Sequence, residues 1–123
     1  MTLKRIQLFG LFLIAGILLS CELPDANQIW HIQYEITGSA SSADVTFSLP
    51  GEVGIEQHTV VLPYTSQTLA FKGADHAFIM AQNKGENGTV IITIIGNGLP
   101  MEKTSSEGAY AIASASWLVG SNN

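Results

Sequence analysis

From residue 29 onward, apolar and polar side chains alternate at every second position, the repeat of strands with one buried face. In Ile29–Thr37, Trp30, Ile32, Tyr34 and Ile36 fall on one side, and His31, Gln33, Glu35 and Thr37 on the other. The alternation returns over residues 44–49, with Val45, Phe47 and Leu49 inward. It returns again over 56–62, with His58, Val60 and Leu62 sharing a face. Residues 68–71 predict a short strand with Leu69 and Phe71 inward, and residues 76–82 predict another. The nearly unbroken apolar run at 90–95 predicts a central strand covered on both sides. Gly96-Asn97-Gly98 predicts a hairpin into a short return strand over 99–103. Residues 109–117 complete the set. Their alanines favour helix by propensity, but the flanking strands and Trp117 favour a last strand.

The breaks agree with this division. Residues 38–43 (GSASSA), Pro50-Gly51, Pro63 and residues 84–88 (KGENG) are turn formers. Seven or eight strands at this spacing predict an all-β fold, a small immunoglobulin-like antiparallel β-sandwich of about seven strands. A small barrel is the alternative.

Residues 1–20 break the pattern. Lys4 and Arg5 precede an apolar run over 8–19, and Ser20 stands before Cys21. That layout is a secretory signal peptide. The run is a dozen residues, short of the ~20 that span a bilayer as a helix. Leu18-Leu19-Ser20-Cys21 resembles the lipobox of bacterial lipoproteins. There a cysteine thiol carries a diacylglycerol, and a small residue before it fits the peptidase. Leu19 is bulkier than usual at its position. Cys21, the only cysteine in the chain, is thus the expected lipid attachment site. It also leaves no intrachain disulfide to form. Glu22, in place of an aspartate, favours the outer membrane by the enteric sorting rule. The expected organisation is a signal peptide at 1–20, a lipid-anchored polar tether at 21–28 and one β-domain at 29–123. The expected location is the cell envelope, on the periplasmic face of the outer membrane.

Charge then narrows the partners. After residue 20, ten acids face only Lys72, Lys84 and Lys103, a net −7. No basic patch exists to meet phosphates, so nucleic acid is not an expected partner. The membrane is expected to be reached through the N-terminal lipid, since the acidic chain is repelled by anionic headgroups.

No catalytic pattern stands out. His31, His58 and His76 are scattered and lack zinc-site spacing, so no metal or cofactor is expected. Ser39, Ser41, Ser42, Ser105 and Ser106 fall in predicted turns without a nucleophile elbow. Glu52 with Glu56, and Glu102 with Glu107, fall in or beside predicted polar loops. Gly96-Asn97-Gly98 opens no helix, so it is not a phosphate loop. Asn87-Gly88-Thr89 matches a glycosylation sequon, which an exported bacterial chain has little reason to use. Tyr64 and Trp117 stand at predicted element ends and are the candidate partner-contact residues. The competing reading has both capping the core.

Several short segments carry a family likeness. They are Tyr34-Glu35-Ile36-Thr37-Gly38, Ala43-Asp44-Val45-Thr46-Phe47, Leu62-Pro63-Tyr64, Asn97-Gly98 and Gly108-Ala109-Tyr110-Ala111-Ile112. In this order the body resembles the MmpS family, membrane-associated accessory proteins of MmpL-type transporters of the RND class. The likeness spans most of residues 34–116. It implies an immunoglobulin-like sandwich, no enzymatic activity and an RND-type transporter as partner. Two departures stand out. Ile92 and Ala115 occupy the positions of two bridging cysteines, and a lipobox replaces the family's membrane helix. A small-ligand or lipid-binding envelope lipoprotein without a transporter partner is the alternative.

Overall fold

The computed structural model describes residues 24–122. The nine strands found there are β1 (Ile29–Thr37), β2 (Ser42–Ser48), β3 (Ile55–Val61), β4 (Tyr64–Thr65), β5 (Leu69–Lys72), β6 (His76–Asn83), β7 (Thr89–Gly96), β8 (Leu99–Glu107) and β9 (Ile112–Leu118). They form two antiparallel sheets, one ordered β3-β2-β6-β9 and the other β4-β1-β7-β8, with β5 also paired to β1. The chain is an all-β sandwich, as its alternation predicts.

β4 and β5 are two halves of one edge. β4 pairs with the far half of β1 (Ile36 with Tyr64) and β5 with its near half (Trp30 with Phe71). Ser66 spans the gap. Its Oγ accepts from the Tyr34 N–H (3.0 Å), and its own N–H donates to the Tyr34 carbonyl (2.9 Å). The break in the ladder therefore leaves no orphan on Tyr34.

The core lies between the sheets. One sheet supplies Ile32, Tyr34, Ile36, Phe71, Val90, Ile92 and Ile94, and the other Ala43, Val45, Phe47, Ala77, Ile79, Ala81 and Ala113. The division of volume explains the alanines of the last strand. β9 packs against both β7 and β8, and its small inward side chains make room for the branched residues of β7. Ala113 and Trp117 face inward, while Ile112, Ser114 and Ser116 face out. That inward–outward division is a strand's, and it rejects the helical alternative.

Two boundaries move, and one predicted inward residue stays exposed. β8 runs to Glu107 rather than stopping near 103, with a bulge opposite Ile94/Ile95. Ser105, Ser106, Glu102 and Glu107 are thus strand residues rather than turn residues. β9 begins at Ile112, because residues 109–111 form a turn in which Tyr110 has a φ of +55°. His58 has the predicted parity, but its side chain stays 45% exposed. β3 is an edge strand, and the facing sheet does not reach over it.

The two ends of the sandwich differ. At one end the tether enters, and we call it the tether end. The Gly73 N–H donates to the Gln28 carbonyl (2.9 Å), and a Cβ on Gly73 would lie 1.9 Å from the Asp25 carbonyl oxygen. Only glycine lets the backbones meet there. Gly73→Ala is expected to unlatch residues 24–28 without unfolding the sandwich. Cleavage of that segment by a nonspecific protease should rise roughly 5- to 30-fold, the equivalent of about 1–2 kcal/mol. An unchanged cleavage rate would mean that the latch is not closed in solution.

The far end is tied by Asn83. Its side chain is buried, and its Nδ2 donates to the carbonyls of Asn87 (2.8 Å) and Gly108 (3.0 Å). Its Oδ1 accepts from the Gly85 N–H at 2.8 Å. One amide therefore satisfies backbone groups from the β6–β7 and β8–β9 turns together.

Candidate functional site

The residues singled out in the sequence do not converge. Cys21 lies outside the described residues. Tyr64 is half-buried in β4 and packs against the core beside Ile36. Trp117 is only 2% exposed. It turns into the tether end of the core, where its ring meets Trp30 edge-on at 5.3 Å. It therefore offers a partner almost no surface. The physical reason is Gly96, across the core. A Cβ there would stand 3.1 Å from the Trp117 ring, so its absence makes room for the indole.

The histidines stay apart. His31 and His76 are exposed on different sheets, and the His58 ring pairs with Glu56 at 2.9 Å along β3. Among the described residues, no three His, Cys, Asp or Glu side chains gather in a way that could hold a metal. Asp44 sits on the outer face of β2. It accepts a hydrogen bond from Thr59 Oγ1 (2.7 Å) and lies 3.5 Å from Lys84 Nζ. These contacts, the Thr59 bond foremost, hold its carboxyl below the usual aspartate range.

The two features that remain are surfaces. The first is the free edge of β3. Its register with β2 runs from Ser42–Val61 to Ser48–Ile55. The Leu62 N–H donates to the Ser41 carbonyl (3.1 Å) and the Leu49 N–H to the Gly54 carbonyl (2.9 Å). Antiparallel ladders alternate, so Glu56, His58 and Val60 direct their backbone groups to β2. Ile55, Gln57, Thr59 and Val61 direct theirs away from the sheet. The side chains of Ile55 and Val61 are 58% and 77% exposed on that same edge. An edge with apolar residues and outward N–H groups is a template for another strand.

The second is the tether end. A concavity of about 530 Å3 there is lined by Trp30, Pro100, Met101, Gly120, Ser121 and Asn122. The indole N–H groups of Trp30 and Trp117 are both buried without an acceptor. The sequence reading missed this end. Its signal was available, in that both tryptophans of the chain sit on inward positions of strand ends that close the same side.

No protein-family model matches the sequence, and no curated protein is similar to it.

Proposed function

We propose that this chain is a lipid-anchored envelope protein that acts, without catalysis, as an accessory to an RND-type transporter. The observation that carries the contact role is the β3 edge, with its outward N–H groups and exposed Ile55 and Val61. Strand addition to such an edge gives affinity through main-chain hydrogen bonds and specificity through alternate side chains. The transporter as partner rests on the MmpS-like segments. The resemblance puts two bridging cysteines at Ile92 and Ala115; Ile92 is buried in the core and Ala115 packs against it, apolar surroundings that need no bridge.

The test is in-cell photo-cross-linking of the full-length protein, with the reactive group at Val61, exposed on the same edge. Capture of an RND-type permease is the expected result. Capture of abundant lipoproteins alone would end the transporter role. Gln57→Pro should lose that capture roughly tenfold or more while keeping the fold, because its N–H points off the sheet. His58→Pro, by contrast, removes a β2–β3 bond and should destabilise the domain by about 3 kcal/mol.

A second reading, binding of a small ligand or lipid, draws on the concavity at the tether end. Its volume exceeds the ~300 Å3 at which ligand pockets begin. Native mass spectrometry of the purified domain separates the two readings, since a co-purifying small molecule favours the second.

A further inference from the structure

We propose that the tether end of the sandwich sits on the lipid surface, so that the strands stand away from the membrane and the β3 edge faces the periplasmic space. The proposal rests on the reading of Cys21 as the lipid-bearing residue.

The argument starts from where the chain outside the described residues joins the fold. It joins at Pro24, which lies against Gly120 at the tether end; a Cβ on Gly120 would be 2.9 Å from the Pro24 ring. Only Glu22 and Leu23 lie between Pro24 and Cys21, a span of three residue steps. A fully extended chain of that length reaches about 11 Å. The acyl chains would therefore leave the protein within about that distance of this end, and the latch at Gly73 fixes the direction of approach.

The end is built for such contact. Leu99, at the start of β8, is 62% exposed, and Ile29, at the start of β1, is 46% exposed. Val53, in the turn after Pro50–Glu52, is 80% exposed. That turn lies at the same end, since it touches β5 and Ser48 Oγ donates to the carbonyl of His76. Leu99 and Val53 come from different sheets, so the apolar side chains ring the end instead of lining one face. Trp30 lies between them at the rim of the concavity.

Charge works against the placement on an anionic surface, since the chain after residue 20 carries a net −7. Two carboxylates at this end are engaged by neighbouring backbone. Asp25 accepts from the Asn27 N–H (2.9 Å) and Asp75 from the Lys72 N–H (3.1 Å). The ring need not bind membranes alone, because the lipid keeps it at high effective concentration beside the bilayer. A weak apolar preference then suffices to set orientation. The far end also exposes apolar side chains, Tyr110 and Ile112, but the tether holds that end away from the lipid.

The experiment uses the full-length acylated protein in phosphatidylethanolamine–phosphatidylglycerol vesicles. Single cysteines at L99C and V53C report the tether end, and Y110C and I112C the far end, each carrying an environment-sensitive fluorophore. Acylated Cys21 does not take the label. Doxyl lipid should quench the first pair by more than about half, as for groups at interfacial depth, and leave the second pair unchanged. A label-free reading comes from the two tryptophans, both at the tether end, which brominated lipid should quench. Equal quenching at both ends, or none at Leu99 and Val53 in protein that pellets with vesicles, would overturn the orientation and leave the anchor standing. Protein that stays in the supernatant with an unmodified Cys21 would remove the anchor, and the orientation with it.

Discussion

Tyr34→Ala is expected to cost about 3–5 kcal/mol, a large part of the ~5–15 kcal/mol that holds a domain folded. Tyr34 is fully buried at the centre of β1. Its ring packs on Phe47 at 4.9 Å and meets Phe71 edge-on at 6.5 Å. Its hydroxyl donates to the Ser48 carbonyl (3.0 Å) and shares a hydrogen bond with Ser48 Oγ (3.0 Å). One residue thus joins the two sheets by both packing and polarity. Tyr34→Phe keeps the packing and takes the donor from the Ser48 carbonyl, so it should cost about 1–2 kcal/mol. Denaturant midpoints of the two variants separate these shares. A loss from Tyr34→Ala no larger than that from Tyr34→Phe would mean that the ring is not packed as described. Burial also raises the Tyr34 hydroxyl pKa above its ordinary 10.0, against smaller opposing effects from Ser48 and the Phe78 backbone. The folded state therefore favours the protonated phenol. Its contribution is whole below pH 10.0 and is lost as pH rises beyond it. Tyr34→Phe should lack that alkaline component.

Gly38→Ala is the second large effect. Gly38 has a φ of +125°, and a Cβ there would lie 2.2 Å from the Thr89 carbonyl oxygen. Backbone strain of about 1–3 kcal/mol adds to an overlap of about 1–3 kcal/mol. The site is where the β1–β2 turn fastens onto β7. The Ala40 N–H donates to the Thr89 carbonyl (3.0 Å), the Ser39 N–H to Thr89 Oγ1 (3.0 Å), and the Thr89 N–H to Ser39 Oγ (2.9 Å). Moving Thr89 to relieve the overlap would break these bonds. The expected fall in Tm is about 10 °C or more. Gly54→Ala is the control, because Gly54 has a φ of +141° with nothing within 4 Å. Its smaller fall isolates the conformational share, and equal falls in the two variants would deny the overlap.

The parts of the fold legible in the sequence are those where one physical cue acted alone. β1 matches its alternation from Ile29 to Thr37. Asn97-Gly98 forms the predicted hairpin, with both residues at positive φ as the turn demands. β8 was legible only in its first half, because Lys103 to Glu107 carry no apolar alternation. That half is a strand because β7 offers it an edge, a cue that exists only after β7 has formed. Asn83 and Ser66 were not legible as structural residues, since their partners come from backbone groups distant in sequence. For Trp117, position at a strand end left partner contact and core-capping both open, and the space left by Gly96 decides for burial. The edge of β3 followed the same logic in reverse. Parity set the faces correctly, but only sheet order reveals that His58 lies on an edge strand, where its side chain stays 45% exposed.

The place where the tether joins has a mechanical consequence. The chain enters on β1, which is bonded on both sides, to β7 along one edge and to β4 and β5 along the other. Under the proposed anchoring, a pull from the membrane would run along the strand axis and load both ladders in parallel, as shear. A tether entering on an outer strand pulled crosswise would open its bonds one after another. This sandwich is therefore expected to hold against tension between the proposed anchor and a proposed partner on its edge, and to yield first at the latch around Gly73, which lengthens the leash before any strand leaves the sheet.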